Sequence, residues 1–266
     1  MSHFRNKVVW ITGASSGIGE ALAYRFANEG ARLILSARRS DELERVKKTC
    51  NLPDDRVLTL PMDVSQIEQI PDKAKIALER FGKVDVLVNN AGVSHWMRIN
   101  ELSMEVLHKV MTTNFTGSVA LTKAVLPGML EQKSGQIIVI SSILGKIVTA
   151  KQAAYNASKH ALHGFFDTLR AEYGKSGIKV LIVCPGFVRT NVARNSLDRD
   201  GNPINKQSPL IENGLDPAYV AQKIVRAAAN GKEEILIAGT KEKAAVWLKR
   251  YFPALFSKII AESRLA

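Results

Sequence analysis

The chain has 266 residues, of which 46% are hydrophobic and 6% aromatic, and its formal net charge is +12. This length allows one large α/β domain or two small ones, and the apolar content is sufficient for a sizeable buried core. The two cysteines, Cys50 and Cys184, have no metal-site spacing and are too few for a disulfide framework. We therefore expect neither a catalytic metal nor a disulfide-rich secreted fold.

The positive charge leaves two interpretations open: a solvated surface of mixed charge, or a potential that favours a phosphate-rich cofactor. No run of Lys and Arg interleaves with aromatic residues as in a nucleic-acid groove, so we expect no nucleic-acid partner. The segment before the first strand is too short and polar for a signal peptide, and no apolar run reaches the roughly 18 residues of a transmembrane helix. These features predict a cytoplasmic protein.

Strand and helix patterns alternate along the chain. Short apolar runs predict strands at 7–12, 32–37, 56–60, 84–88, 136–141, 179–184 and 234–238. Helical patterns occupy 17–29, a segment from residue 40, 65–81, and the longer segments between the later strands. Alternation of this kind implies βαβ units. We therefore predict an α/β fold: a single doubly wound, Rossmann-like domain over residues 1–240, with a parallel seven-stranded sheet flanked by helices.

A glycine-rich turn follows the first predicted strand, where residues 12–19 read TGASSGIG. Glycines let a backbone approach a pyrophosphate closely, and the N-terminus of the next helix offers free N–H groups. The spacing G-x3-G-x-G differs from the more familiar G-x-G-x-x-G, and a tight turn with glycines for packing alone is the alternative. The cofactor contacts predicted here are Gly13, Ser15, Ser16, Gly17, Ile18 and Gly19.

The second predicted strand ends without an acidic residue, in Ser36-Ala37-Arg38-Arg39. A carboxylate at this point would repel the 2′-phosphate of NADP, whereas a guanidinium can bind it through two hydrogen bonds. We therefore predict NADP(H) as cofactor, with Arg38 as the principal contact and Arg39 as the second. The alternative for Arg39 is an ordinary surface position.

Tyr155 and Lys159 lie four residues apart in a helical pattern and thus share one helix face. An ordinary tyrosine has a pKa near 10, and a neighbouring ammonium is expected to lower it. A Tyr-x3-Lys pair is common in protein sequences, so a catalytic role has to be supported by other motifs. Ser141-Ser142 and the NNAG sequence at 89–92 both follow predicted core strands. Ligands of doubly wound sheets bind at that edge.

Together these motifs resemble the short-chain dehydrogenase/reductase family. The matching segments, in order, are TGASSGIG at 12–19, Asp63-Val64, NNAG at 89–92, Asn114, Ser142, YNASK at 155–159 and Pro185-Gly186. The resemblance implies an oxidoreductase that transfers hydride between NADP(H) and a carbonyl or secondary alcohol.

The resemblance also implies a catalytic group of four residues. Tyr155 would be the general acid in reduction and the base in oxidation, and Lys159 would lower its pKa and hold the nicotinamide ribose. Ser142, thirteen residues before Tyr155, would polarise the substrate carbonyl. Asn114 would fix a water molecule that links Lys159 to solvent.

Further cofactor contacts follow from the same resemblance. Asp63 would accept a hydrogen bond from the adenine amino group, Asn90 would support the cofactor side of the sheet, and Thr190 would reach the nicotinamide carboxamide. Ser16 occupies a position where some NADP enzymes of the family carry a basic residue. The discrimination between NADP and NAD would therefore depend more on Arg38. The other implied contacts are Val64, Ala91, Gly92, Tyr155, Lys159, Pro185, Gly186 and Val188.

Two segments depart from the alternating pattern. Residues 186–214 are polar, and a long loop of this kind is typical of a lid, here over the substrate. Residues 241–266 form a basic amphipathic helical tail, in which Pro253 should interrupt the helix near Phe252. The tail's apolar stripe has three interpretations: packing on its own domain or a second subunit, peripheral membrane contact, or binding of a protein partner. A faint likeness to tails of family members that act on lipophilic carbonyls favours a lipophilic substrate.

The remaining predictions concern other side chains and partners. His95 is a candidate to face the substrate, whereas packing or surface positions are expected for His160 and His163. Cys184 is expected in the core and not as a nucleophile. We expect a small-molecule substrate and a homodimer or homotetramer. The rival functions are a non-catalytic NADP(H)-binding protein of this fold and a membrane- or nucleic-acid-associated interaction protein.

Overall fold

A computed structural model of the chain describes residues 3–262. Seven strands form one sheet in the order β3-β2-β1-β4-β5-β6-β7, and all neighbouring pairs are parallel. The strands are β1 (Val8–Thr12), β2 (Arg32–Ser36), β3 (Val57–Thr59), β4 (Val86–Asn89), β5 (Gly135–Ile140), β6 (Ile178–Pro185) and β7 (Glu234–Ile237). The predicted α/β fold with a seven-stranded parallel sheet is confirmed, and no strand end differs from its predicted position by more than two residues.

Helices cover both faces of the sheet. They are α1 (Gly17–Asn28), α2 (Ser40–Cys50), α3 (Ile70–Phe81), α4 (Met104–Met111), α5 (Gly117–Glu131), α6 (Ala153–Tyr173), α7 (Pro209–Glu212), α8 (Pro217–Ala229), α9 (Thr240–Tyr251) and α10 (Pro253–Glu262). Along β1, Val9 and Ile11 pack with α1, α2 and α8, whereas Val8 and Trp10 pack with α3, α5 and α6. Because alternate side chains enter two separate cores, the strands read as continuous apolar runs.

The segment 186–214 is more ordered than the open loop that the sequence predicts. A short helix, α7, lies near its end, and isolated bridges join Leu197 to His95 and Val188 to Leu215. These bridges attach the predicted lid to the domain at two separate points.

The C-terminal tail divides at Pro253 into α9 and α10, as predicted. One side packs on the domain: Phe256 is buried against Ile143 and Ile147, just after Ser142. Residues 263–266 of the predicted tail lie outside the described residues. None of the described helices combines the length and hydropathy needed to cross a bilayer.

Candidate active site

The predicted catalytic residues meet at the carboxyl edge of the central strands. Ser142 follows β5, the NNAG segment at 89–92 follows β4, and α6 carries both Tyr155 and Lys159. Parallel strands end at the same edge, and β4 and β5 are neighbours in the sheet. The chain thus brings groups from distant sequence positions to one place, which is where doubly wound sheets bind ligands.

Tyr155, Lys159 and Ser142 form a compact group. The Ser142 side chain is a neighbour of the Tyr155 hydroxyl and lowers its pKa, and Ser142 Oγ accepts a hydrogen bond from the Leu144 N–H at 3.1 Å. Lys159 Nζ lies 5.5 Å from the centroid of the Tyr155 ring, and it donates to the Ile140 carbonyl oxygen at 2.8 Å. The phenol therefore lies between a hydroxyl and an ammonium that are both held by backbone groups.

Burial dominates the protonation of this group. It raises the pKa of Tyr155, and the neighbouring Ser142 hydroxyl offsets this only in part. Burial also lowers the pKa of Lys159 to about 8. Desolvation disfavours the charged form of both side chains. The pKa of Tyr155 in the protein alone is therefore shifted in the direction opposite to the predicted one, because desolvation is its largest cause.

Asn114 occupies a π-helical turn, Thr112–Thr116, between α4 and α5. Its Oδ1 accepts from the Val93 N–H at 2.8 Å, and its Nδ2 donates to the Val93 carbonyl and to Ser158 Oγ, each at 2.9 Å. A methyl group on Gly92 would lie 3.3 Å from Asn114 Oδ1 and 3.6 Å from Lys159 Nζ. Gly92 thus leaves room beside both polar groups.

The sequence did not reveal two of these features. The widened turn, of a type that is frequent at functional sites, has no recognisable residue pattern here. Ser158 lies inside the YNASK segment, but only the folded chain shows that its hydroxyl donates to the Tyr155 carbonyl at 2.8 Å while it accepts from Asn114.

The glycine-rich turn has the geometry of an anion cradle. Gly13 and Gly17 adopt φ values of +64° and +61°, which side chains rarely allow. A methyl group on Gly19 would lie 2.2 Å from the Gly13 carbonyl oxygen. Ser16 precedes α1 without a capping hydrogen bond from its side chain, so the first N–H groups of the helix stay available. These residues fit a phosphate group.

The end of β4 braces this turn. Asn90 Nδ2 donates to the Thr12 and Gly13 carbonyl oxygens at 2.9 and 3.2 Å. The N–H groups of Asn90 and Ala91 both donate to Thr12 Oγ1, at 3.0 and 3.1 Å. Ile18 anchors the turn from its other side by packing against the apolar core. The predicted supporting role of Asn90 thus has a direct structural counterpart.

A cleft of about 780 Å³ opens beside the turn and is lined by Ser15, Ser16 and Gly17, together with Arg39 and Thr190. Arg39 Nη2 lies within 3.4 Å of Ser15 Oγ. Arg38 is exposed and is not among the residues that line the cleft. Arg39, the predicted second contact, thus lines the cleft, whereas Arg38, the predicted principal contact, does not.

The other guanidinium groups that line the cleft are already paired. Arg45 binds the carboxylates of Glu20 and Glu42 at 2.7 and 2.8 Å, and Arg189 binds Asp216 at 2.8 Å. Among the arginines that line the cleft, Arg39 has no carboxylate partner within the described residues, which makes it the guanidinium most available to a phosphate.

The remaining predicted cofactor contacts lie around the same edge. Asp63 Oδ1 accepts from the N–H and hydroxyl of Ser65, at 2.9 and 2.7 Å. Val64 is buried beside it, and Val188 is buried in the core cluster of α1 and α8. A methyl group on Gly17 would lie 2.9 Å from Thr190 Cγ2, so Thr190 lies over the glycine-rich turn.

Pro185 ends β6, and the Gly186 N–H donates to the Ile237 carbonyl at 2.9 Å. A methyl group on Gly186 would approach Ala238 Cβ to 3.0 Å. Because Gly186 has no side chain, the end of β6 can lie close to the residues that lead into the tail.

Three other side chains are placed by the structure. His95, a candidate to face the substrate, is completely buried. His163 Nε2 lies 3.2 Å from Ser141 Oγ and 3.6 Å from Cys184 Sγ. Burial raises the pKa of Cys184 to about 12, as expected for an unreactive core thiol. Over residues 3–262, no cluster of three or more potential ligands could hold a metal ion.

Comparison with known proteins agrees with this geometry. The family model for short-chain dehydrogenases matches residues 7–201. The chain belongs to the short-chain dehydrogenase/reductase family. A relative from Anopheles gambiae, named dehydrogenase/reductase SDR family protein 7-like, is 40% identical over 259 residues, which are 96% of this chain and 82% of the relative. Membership identifies the chain as an oxidoreductase of Rossmann fold with a nucleotide-binding unit.

Two similar solved structures carry different cofactors. A Burkholderia phymatum short-chain dehydrogenase/reductase in complex with NAD aligns with a TM-score of 0.86 and 30% identity, and covers 96% of each chain. An alcohol dehydrogenase from Thermococcus sibiricus, complexed with 5-hydroxy-NADP, aligns with a TM-score of 0.77 and 29% identity, over 88% of this chain and 96% of the other. These neighbours thus include both kinds of dinucleotide.

Proposed function

We propose that this protein transfers hydride between NADP(H) and a carbonyl or secondary alcohol, with Tyr155 as the acid and base. One observation carries the proposal: Tyr155 has the Ser142 hydroxyl and the Lys159 ammonium as neighbours, at the strand edge that the glycine-rich turn shares. The dinucleotide would supply or accept the hydride. The protein groups would position the substrate oxygen and move its proton.

The chemistry assigns a separate task to each side chain. The Ser142 hydroxyl would donate a hydrogen bond to the substrate carbonyl and make its carbon more electrophilic. Tyr155 would then protonate the oxygen as the carbon accepts hydride, and its raised pKa keeps that proton in place at neutral pH. In the oxidative direction the phenolate is needed, and positive charge near the phenol would stabilise it.

The proton that Tyr155 releases must be replaced. We propose that a water held near Asn114 connects Lys159 to solvent. In support, the position that a methyl group on Gly92 would occupy lies 3.3 Å from Asn114 Oδ1 and 3.6 Å from Lys159 Nζ. Lys159, with a pKa of about 8, lies close enough to neutral to take part in such a transfer.

The acid–base role can be tested with Tyr155→Phe, which removes only the hydroxyl. Turnover should fall by about 10²–10⁴-fold, the usual contribution of a positioned acid–base group, while the dissociation constant for NADPH stays the same. Tyr219→Phe, at an exposed tyrosine on α8, is the matched control and should retain full activity. Turnover of the Tyr155 variant within about tenfold of wild type would refute the role.

The preference for NADP(H) rests on the arginines and the absence of an acid after β2. Arg39→Ala should lower kcat/KM for NADPH by at least about tenfold and leave that for NADH nearly unchanged, since one charge-assisted pair is worth about 1.5–3 kcal/mol. Arg38→Ala removes the same charge one residue away and should have the smaller effect. An equal or higher kcat/KM with NADH in the wild-type enzyme would overturn the preference.

A lipophilic substrate is supported by apolar side chains in the segments that lead from β4 to α4, from β5 to α6 and from β6 to α8. The exposed members are Trp96, Ile99, Val148, Phe187 and Leu210. Exposed apolar groups clustered around a site are typical of binding surfaces. Assays of steroids, retinaldehydes, 3-oxoacyl thioesters and sugar ketones with NADPH would test this, and turnover restricted to the sugar ketones would contradict it.

Peripheral membrane contact is a second candidate property, favoured by the outer side of the tail. Trp247, Tyr251 and Phe252 form an exposed aromatic cluster, with ring centroids 5.2 and 5.5 Å from Trp247. Exposed Leu255 and Ile259 extend it along α10. The surrounding basic residues are Lys241, Lys243, Lys249, Arg250 and Lys258. Aromatic residues flanked by basic ones suit an anionic lipid surface.

Flotation with phosphatidylserine vesicles tests this contact. Trp247→Glu combined with Phe252→Glu should abolish flotation, whereas Tyr219→Glu, at an exposed aromatic residue on α8, should not. Substitutions on the outer side are preferable to deletion of the tail, because Phe256 packs on the domain. Equal flotation of all variants would refute the contact. Light scattering on the same samples would test the predicted homodimer or homotetramer.

A further inference from the structure

His95 is the buried side chain that the proposed mechanism leaves without a task. It follows the NNAG segment at 89–92, is completely buried, and lies in contact with the helix that carries Tyr155. Its Nε2 accepts a hydrogen bond from the Ala154 N–H at 3.0 Å. Ala154 is the residue directly before Tyr155, in the first turn of α6.

The first turn of α6 needs such a partner. A helix has no internal acceptors for its first N–H groups, and Gln152, which precedes α6, makes no capping hydrogen bond with its side chain. His95, which lies on a separate loop, therefore accepts a hydrogen bond from the first turn of α6. In most helices a capping side chain directly before the helix accepts this bond. The bond fixes the backbone at the position from which the Tyr155 ring projects.

The neighbours of His95 hold the same turn. The side chain of Gln152 donates to Ser94 Oγ at 2.9 Å, and the Met97 N–H donates to the Lys151 carbonyl at 2.9 Å. Lys151 adopts a left-handed φ of 63°, which is uncommon for a side chain of this size. The segment 94–97 thus determines where α6 begins.

The same segment is attached to the predicted lid. The Leu197 N–H donates to the Ser94 carbonyl at 2.8 Å, and the Trp96 N–H donates to the Leu197 carbonyl at 3.3 Å. His95 therefore lies between Leu197 of the predicted lid on one side and the start of α6 on the other.

Packing alone does not account for a histidine at this position. Because Nε2 accepts, the ring proton is on Nδ1, and Nδ1 is buried without a hydrogen-bond partner in the described part of the chain. A buried donor without a partner is destabilising, so an apolar residue of similar size would fill the space at lower cost. What the histidine adds is the acceptor for Ala154.

We propose that His95 is a positioning residue for Tyr155, acting through its hydrogen bond to the Ala154 backbone. This inference rests on the proposed acid–base role of Tyr155. His95 itself does not contact the reacting atoms. It holds the first turn of α6 so that the phenol stays within reach of Ser142 and of the substrate oxygen.

Two amide variants provide the test, since they differ in where the acceptor lies. In His95→Gln the side-chain oxygen reaches about as far as Nε2, whereas in His95→Asn it reaches only about as far as Nδ1. The Asn variant should lower kcat by about ten- to hundredfold, as expected when a catalytic group is displaced by about 1 Å. The Gln variant should recover most of this loss. The dissociation constant for NADPH should be unchanged in both variants.

Hydrogen exchange measured on the full-length protein adds a readout that is independent of turnover. Exchange at the Ala154 amide should accelerate about tenfold in His95→Asn and stay near wild type in His95→Gln. His160→Gln, at an exposed position on α6, is the control and should change neither exchange nor kcat.

The outcomes separate the two claims. Equal kcat in the Asn, Gln and wild-type proteins, or an unchanged exchange rate at Ala154 in the Asn variant, would overturn the positioning role. Loss of NADPH binding in the Asn variant would also overturn it, because the effect would then be a general disruption. A wild-type protein that reduces no carbonyl compound would refute the proposed function instead, and the exchange comparison would still decide whether His95 holds the turn.

Discussion

Acid should destabilise this protein between pH 7 and pH 5, because two histidines are buried in their neutral form. Burial lowers the pKa of His95 to about 4, and burial together with the nearby Lys146 ammonium lowers that of His163 to about 4. In the unfolded chain a histidine titrates near 6.5. The unfolded state therefore binds more protons in this range, and stability decreases as the pH falls from about 6.5 towards 4.

The size of the effect follows from these pKa values. Between the pKa of the unfolded state and that of the folded state, each pH unit changes the free energy of unfolding by about 1.4 kcal/mol per histidine. At pH 5 this amounts to about 2 kcal/mol for each histidine, or about 4 kcal/mol for the pair, against a usual total stability of about 5–15 kcal/mol. Carboxylates with a lowered pKa, such as Asp85, lose their contribution only at lower pH.

Urea unfolding at pH 7 and pH 5, at one protein concentration, measures this difference. The wild-type protein should lose about 4 kcal/mol, and His95→Gln and His163→Gln should each lose about half as much, since each retains one buried histidine. His108→Gln, at an exposed position on α4, should behave as wild type. The same pH dependence in all four proteins would refute the reasoning.

Three further predictions concern glycines and the lid. Gly164→Ala should raise the thermal midpoint, because the site is an exposed helix position with no atom within 4 Å of the added methyl and alanine favours helix by about 1 kcal/mol; a lower midpoint would contradict this. Gly19→Ala should abolish tight NADPH binding, since its methyl would clash with the Gly13 carbonyl, whereas Gly128→Ala, with its nearest atom at 3.9 Å, should bind normally; wild-type affinity in the Gly19 variant would argue against the cradle. Saturating NADPH should slow tryptic cleavage within 186–214 if this segment closes over the site, and an unchanged rate would count against closure.

The sequence by itself determined the fold class and the main candidate residues. Strands of the parallel sheet, such as β5 and β6, are buried on both faces over most of their length, so they read as mainly apolar runs interrupted only by Gln136 and Lys179. The glycine-rich turn follows β1 directly, and the Tyr155–Lys159 pair depends only on helical spacing. Each of these patterns involves residues that are close together in the sequence, so it can be recognised without the tertiary structure.

Only the tertiary structure decided the features that depend on distant contacts. Arg39, and not Arg38, lines the cleft because the backbone after β2 turns that side chain towards Ser15. The Tyr155 pKa is raised because desolvation depends on everything packed around the phenol, whereas the sequence shows only the nearby lysine. His95 is buried against Ala154, 59 residues further along the chain. Such contacts are set by how helices and loops pack on the sheet, which no short-range pattern encodes.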